Sequence, residues 1–572
     1  MTTTPATTPD SPEGQHRPPS PDWPGWPAET GERYRAAGYW RDELLGDIPA
    51  RQAALRPDAI ALVDGPRRWT YARLAADVAE LHGSLYRLGL RRGDRVIVQL
   101  PNQAEFVLLW FALQRLGAVP VHALPGHRRQ ELTHLARVTG AVGYVFPERH
   151  ARYDHRRPAA ELAAAHPALK HTVVVGDPGG HVGMVPFASL LGGEAPRPVP
   201  AEAPVAADDL ALLLLSGGTT GTPKLIPRTH QDYGYNARAA ADVCRLGPAS
   251  VYLAVLPIAF NFTMSCPGIL GTLQAGGTVV VCPSPDPATA LALVDREGVT
   301  ITAVNPPLVP HWLREAQVGG HDLSSLAVLQ VGAARLADDL ARRVGPSLGC
   351  RLQQVFGMAE GLLNLTGLDD PDEIVCTTQG RPVSPGDEVL LVDGDGTPVA
   401  EGRTGELLTR GPYTLRGYYR SPELAGSHFT PDGFYRTGDL VRRLPTGHLS
   451  VVGRAKDQIN RGGEKIDATE VEGHLLAHTA VEAAALVAVA DTELGERSAA
   501  FLVCNGPAPS VRELARFLRD RGLAAYKAPD RVHEVTELPL TPVGKIDKNA
   551  LRQRLQENGT PDAAGGGPGR KP

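Results

Sequence analysis

The sequence predicts an α/β protein: a large N-terminal unit with mixed and parallel sheets, followed by a small mobile α+β unit. Three observations carry that expectation. Strand-like apolar runs alternate with helical ones along most of the chain, the pattern of parallel sheets covered by helices. The pattern changes after Gly453-Arg454-Ala455-Lys456-Asp457, a short polar connection. At 572 residues the chain is also too long for one hydrophobic core. The expected division is a Pro/Thr-rich disordered tail over 1–28, a core over 29–455, a C-terminal unit over 456–556 and a Gly-rich disordered tail over 557–572.

In chain order, Arg95-Val96-Ile97-Val98-Gln99-Leu100 reads as a strand, and the apolar run around Phe106-Val107-Leu108-Leu109-Trp110 as the helix after it. Leu210 to Leu215 and Leu225 to Arg228 read as two extended segments around a Gly/Thr-rich loop. Val279–Val281 and Ile301–Val304 are short buried strands with a helix over Ala288–Arg296 between them. Near the C-terminus, Ser510-Val511-Arg512-Glu513 is a capping box opening a helix whose apolar face is Leu514, Phe517 and Leu518, with Gly522 at its end. No internal repeat is present.

Composition excludes several classes of function. The apolar fraction of 42% and charged fraction of 21% are those of a soluble globular protein. No apolar run approaches a membrane span, and no signal peptide opens the chain. A net charge of −5 without a basic tract speaks against nucleic acid. Cys244, Cys266, Cys282, Cys350, Cys376 and Cys504 show no CxxC pairing, which fits reduced thiols in a cytoplasmic protein.

The stretch Ser216-Gly217-Gly218-Thr219-Thr220-Gly221-Thr222-Pro223-Lys224 is the most suggestive of chemistry. Its glycines let backbone N–H groups approach a ligand, and hydroxyls around a lysine suit a polyphosphate. It is not the common P-loop, because Pro223 rather than glycine precedes Lys224 and an extended segment rather than a helix follows. Alone, it reads equally well as a phosphate cradle or a hairpin tip.

Four further segments bear on that choice. Gln354-Val355-Phe356-Gly357-Met358-Ala359-Glu360 sets a carboxylate after a strand end and a glycine turn. Tyr435-Arg436-Thr437-Gly438-Asp439 sets another carboxylate in a turn. Arg461-Gly462-Gly463-Glu464-Lys465 is basic and Gly-rich, and Pro542-Val543-Gly544-Lys545-Ile546 offers a lysine on a glycine turn.

Together and in this order these segments closely resemble the adenylate-forming superfamily, over about residues 30 to 555. Within it they are most similar to stand-alone aryl-acid AMP ligases of the 2,3-dihydroxybenzoate and salicylate kind. The phrases Leu225-Ile226-Pro227-Arg228-Thr229-His230, Gly332-Ala333-Ala334, Phe356 to Gly361 and Lys456 to Lys465 carry the likeness. The resemblance implies a two-step reaction: an acid carboxylate attacks the α-phosphate of Mg-ATP, releasing pyrophosphate, and a thiol then takes the acyl group. It implies that Ser216, Gly217, Gly218, Thr219, Thr220, Gly221 and Lys224 hold the terminal phosphates. Gly332, Ala333, Ala334, Val355, Phe356, Gly357 and Met358 would line the adenine site, and Glu360 would bind Mg²⁺. Asp439 and Arg454 would take the ribose, Lys545 would act catalytically, and Lys456 would be the hinge about which the C-terminal unit swings.

For the acid, the resemblance points to Phe260, Asn261, Phe262, Cys266, Gly332, Val355 and Leu363. The amide of Asn261 can pair with an ortho hydroxyl or amine. Cys266 and Leu363 form the salicylate-type pattern, where dihydroxybenzoate enzymes carry serine and valine. Phe260 and Phe262 depart from the family's histidine and frequent tyrosine, which leaves anthranilate, 3-hydroxyanthranilate, 3-hydroxypicolinate and a methylated salicylate open. The resemblance implies a separate aryl carrier protein or coenzyme A as the thiol acceptor. A catalytically silent binding protein is disfavoured because Lys545, Asp439 and Glu360 are all retained.

Overall fold

Two large sheets, each fed by apolar runs of the kind read above, make up most of the chain. In the computed structural model, which describes residues 22–192, 204–216, 223–462, 464–541 and 544–557, the first sheet has seven strands. Its order is Leu225–Thr229, Leu210–Leu215, Val119–His122, Arg95–Val98, Gly143–Pro147, His171–Val175 and Met184–Pro186. All neighbours run parallel except the first pair, which is an antiparallel hairpin. The second sheet has nine strands, parallel through its middle from Arg351–Gly357 to Ile60–Asp64 and antiparallel at both edges. The strand, helix and strand expected around 279–304 are Thr278–Val281, Pro287–Glu297 and Ile301–Val304.

The site is built by a subset of elements: strands β1 (Leu210–Leu215) and β2 (Leu225–Thr229), helices α1 (His230–Val243) and α2 (Asn261–Ser265), and strands β3 (Arg351–Gly357) and β4 (Leu363–Leu365). Helix α3 (Ala425–His428) and strands β5 (Tyr435–Arg443) and β6 (Leu449–Arg454) follow. Strands β5 and β6 belong to a four-stranded antiparallel sheet. From Ile459 onward the chain forms its own five-stranded sheet with separate apolar clusters, one around Ile459, Val471, Leu486 and Leu514 and one around Val487, Phe501 and Leu551. Helix α4 (Val511–Asp520) opens on the expected Ser510–Glu513 capping box and buries Leu514 and Leu518.

Residues 22–28, which fall within the expected disordered tail over 1–28, pack on the core. Trp23 is buried and stacks edge-on with Trp26, which meets Trp40 in the same way, and Asp22 pairs with Arg420 at 2.7 Å. Two tryptophans in a Pro-rich stretch are enough apolar surface to dock it on the core. Residues 1–21 and 558–572 lie outside the described residues, as do Gly217 to Thr222, Gly463, Pro542 and Val543. Among the described residues, no helix is long and apolar enough to cross a membrane.

Candidate active site

The Gly/Thr-rich loop joins β1 to β2, two paired antiparallel strands, so it sits at the tip of a hairpin and not at a strand-to-helix turn. Its stem is closed reciprocally: Ser216 N donates to Lys224 O at 2.9 Å, and Lys224 N donates to Ser216 Oγ at 3.1 Å. The Lys224 ammonium lies 4.9 Å from the centre of the Tyr418 ring and 2.5 Å from His428 Nε2 on α3. Burial lowers its pKa, and Glu360 partly opposes that effect. Gly217, Gly218, Thr219, Thr220 and Gly221 lie outside the described residues.

Glu360 sits in the turn that closes with Gly361 N donating to Met358 O, between β3 and β4. It is 9% exposed, and the Tyr418 hydroxyl donates to its Oε1 at 3.2 Å. The Tyr418 hydroxyl also meets that of Tyr435 at 3.1 Å. The turn is tied from behind by Arg228, whose Nη1 donates to Ala359 O at 3.0 Å.

Asp439 lies within β5 and not in a turn as the sequence suggests. Gly438, at φ +70°, lets β5 bulge against its neighbour, so the glycine read as a turn signal makes a kink inside a strand. The bulge aims a buried carboxylate at Arg454, which donates from Nε to Asp439 Oδ1 at 2.7 Å across the β5–β6 pair.

Lys545 reaches the same place from the C-terminal unit. A turn carries it, with Gly544 at φ +75° and Gly544 N donating to Thr541 O. The charges of Arg454, Asp439, Glu360 and the exposed Lys456 act on its ammonium. Desolvation, reinforced by the Arg454 charge, pushes its pKa down to about 8 against the pull of the two carboxylates.

Beside this charged cluster lies a close-packed apolar wall. A methyl group added at Gly332 would come within 2.9 Å of both the Phe262 ring and Val355 Cβ, so only glycine leaves that cleft open. Ala333 follows at φ +71°, a left-handed backbone that alanine rarely adopts. Ala334 is exposed beside it. Gly357 pairs with Leu363 across β3–β4 and would also be filled by a methyl, against Leu363 Cδ1 at 2.9 Å. Phe356 and Met358 flank it, half-buried.

Leu363, Phe262, Cys266 and Val355 share one apolar core, with Phe260 packed on its edge. Asn261 opens α2 there. Its Oδ1 accepts from the Tyr233 hydroxyl at 2.9 Å and the Ser265 hydroxyl at 3.2 Å, and its Nδ2 points at Cys266 Sγ, 3.7 Å away. Burial pushes the Cys266 thiol up to about 12, so it stays a neutral SH.

The hairpin lysine, both carboxylates, Arg454, Lys456 and Lys545 therefore lie close enough for their charges to act on one another, next to the apolar cluster that holds Phe262, Cys266, Val355 and Leu363. Sequence reasoning missed Tyr418, Tyr435 and His428, and the buried Arg228–Asp232 pair at 2.6 Å behind the cleft. No local pattern marks them. The donor set suits a nucleotide triphosphate with Mg²⁺: this cation is held by one or two carboxylates plus phosphate oxygens, and Glu360 supplies such a carboxylate. No cluster of three or more His, Cys, Asp or Glu side chains that could hold a metal unaided occurs among the described residues.

The chain resembles known proteins over nearly its whole length. Residues 49–419 match the AMP-binding enzyme family, and residues 470–545 match the AMP-binding enzyme C-terminal domain. The chain is 49% identical over 533 residues to the 2,3-dihydroxybenzoate-AMP ligase of Bacillus subtilis, covering 93% of this chain and 97% of that protein. It is 46% identical over 549 residues to the salicyl-AMP ligase / salicyl-S-ArCP synthetase of Mycobacterium tuberculosis, covering 94% and 96%. The apo structure of MbtA from Mycobacterium smegmatis superposes with a TM-score of 0.72 at 48% identity, over 93% of this chain and 99% of that one. The chain thus belongs to the AMP-binding enzyme family, in both its large N-terminal part and its C-terminal part.

Proposed function

We propose that the protein activates an ortho-substituted aromatic acid of salicylate type as its aryl-adenylate, then passes the aryl group to the phosphopantetheine thiol of a separate aryl carrier protein. The observation that carries this reading is the meeting of Lys224, Glu360, Asp439, Arg454 and Lys545 beside an apolar pocket headed by Asn261. In the first step a carboxylate oxygen of the acid attacks the α-phosphorus, and the bond to pyrophosphate breaks. Negative charge grows on the phosphorane oxygens, where the Lys545 ammonium stabilises it and aligns both reactants. Lys224 and the hairpin tip hold the terminal phosphates, Asp439 and Arg454 the ribose, and the Gly332 to Ala334 and Val355 to Met358 segments the adenine. Mg²⁺ bound at Glu360 would draw charge from the phosphate oxygens.

The hydrogen bonds around Asn261 support a hydroxy acid over an amino acid. Its Oδ1 already accepts two hydroxyl protons and one Nδ2 proton is turned toward Cys266 Sγ, which leaves the other Nδ2 proton for a substrate acceptor, and a phenolic oxygen accepts where an aniline nitrogen does so poorly. Cys266, a weak polar partner, suits a bare C–H edge at the next ring position. For the second step Lys456 serves as the hinge about which the C-terminal unit turns, withdrawing Lys545 and opening the cleft to the thiol. Unpaired cysteines and dependence on ATP fit a cytoplasmic enzyme.

The test is ATP–pyrophosphate exchange across salicylate, 2,3-dihydroxybenzoate, anthranilate, 3-hydroxyanthranilate and 3-hydroxypicolinate. Salicylate is expected to give the highest kcat/KM; exchange with none of the aromatic acids would overturn the reading. Thioester formation on a carrier protein against coenzyme A then identifies the acceptor.

A further inference from the structure

The backbone of Lys224 is fixed from two sides. Ser216 holds it through the two reciprocal bonds of the hairpin stem. On the other side, His134 of the helix Arg129–Thr139 meets Pro223 O with its Nε2 at 3.1 Å. A carbonyl only accepts, so His134 carries its proton on Nε2 and acts as the donor.

The side chain of Lys224 is held as firmly. The Tyr418 ring lies beneath its ammonium and His428 Nε2 caps it at 2.5 Å. His428 Nδ1 faces Leu424 O at 3.2 Å and Ser427 Oγ at 2.8 Å. The carbonyl takes a proton from Nδ1, which leaves the Nε2 lone pair aimed at the ammonium. Burial first, then the Lys224 charge, keeps this imidazole neutral by holding its pKa below the ordinary value.

We infer that His428 is a positioning residue for ATP: as a neutral acceptor it fixes the Lys224 ammonium in the phosphate site before the nucleotide arrives. A lysine side chain carries more rotamer freedom than almost any other. Fixing it in advance leaves less freedom to lose on binding. An ammonium has three donors, and His428 occupies one, so two remain for phosphate oxygens. The inference rests on the role proposed above for Lys224.

The test is ATP–pyrophosphate exchange with ATP and the aromatic acid varied in turn. His428→Ala is expected to raise the KM for ATP roughly five- to tenfold, with kcat and the KM for the acid changed less than about twofold. His428→Gln, whose amide oxygen also accepts, is expected to recover most of the loss. Adding His428→Ala to Lys224→Met is expected to raise the KM for ATP no further. An unchanged KM for ATP in His428→Ala while Lys224→Met raises it would overturn the inference and leave the proposed function standing. So would a His428→Gln variant as impaired as the alanine, or an additive effect in the double variant. An unchanged KM for ATP in Lys224→Met would instead remove the phosphate role of Lys224, and the inference with it.

Discussion

Lys545 and Cys266 show how much chemistry rests on one side chain. The Lys545 pKa of about 8 means that its ammonium is present below that pH and lost above it. If the charge stabilises the phosphorane, adenylation falls as pH rises through about 8, and Lys545→Arg moves the fall to higher pH. Lys545→Ala is expected to slow exchange at neutral pH by on the order of 10²- to 10³-fold while sparing thioester formation from supplied aryl-adenylate. Equal loss of both steps would contradict its assignment to adenylation. At Cys266, buried and neutral, Cys266→Ser exchanges a weak partner for a hydroxyl that can bond a 3-hydroxyl group. The kcat/KM ratio for 2,3-dihydroxybenzoate over salicylate is expected to rise about tenfold or more. An unchanged ranking would argue against this pocket.

Between elements, the hairpin β1–β2 and helix α1 are joined by a single buried carboxylate. Asp232 accepts from Arg228 Nε at 2.6 Å, and its other oxygen takes Thr229 N and Oγ1, which completes the capping box of α1. Arg228 is 1% exposed and also holds the turn before Glu360. Asp232→Ala therefore removes a cap and strands a buried guanidinium. The expected cost is about 3–5 kcal/mol, read from denaturant unfolding of the N-terminal part, with Asp232→Asn milder because it keeps an acceptor. At this scale the sequence was most legible. The strands around Val279 and Ile301, the hairpin around the Gly/Thr loop and the Ser510 cap follow from local periodicity and capping chemistry. Asp439 was misread because a left-handed glycine signals a bulge and a turn alike. Tyr418 with Glu360, and Lys224 with His428, are 58 and 204 residues apart, and contacts at such separations leave no local trace in the chain.

Over the whole molecule, the proposed role of Lys545 depends on how the C-terminal unit sits on the core. Among the described residues, contacts across the two include Asn305 Nδ2 donating to Gly544 O at 3.1 Å, Arg521 pairing with Asp339 at 3.1 Å, and Arg314 approaching Glu482 at 3.9 Å. Exposed ion pairs like the last two are individually weak, which suits the proposed movement of the unit between the two steps. Gly544 is the point where docking and chemistry meet, since it precedes Lys545. A methyl group there would lie 2.4 Å from Asn305 Nδ2, on a backbone at φ +75° that favours glycine. Gly544→Ala is expected to push the Lys545 turn out of register and slow adenylation by roughly 10- to 100-fold. In the proposed scheme transfer proceeds with Lys545 withdrawn, so transfer from supplied aryl-adenylate is expected to stay within about twofold of the parent. Asn305→Ala removes the clashing amide but not the backbone strain, so the double variant is expected to recover part of the lost adenylation. A double variant no better than Gly544→Ala would show that strain within the turn, and not its seat on Asn305, sets the position of Lys545. A loss of transfer equal to the loss of adenylation would show that the two steps share one arrangement of the C-terminal unit.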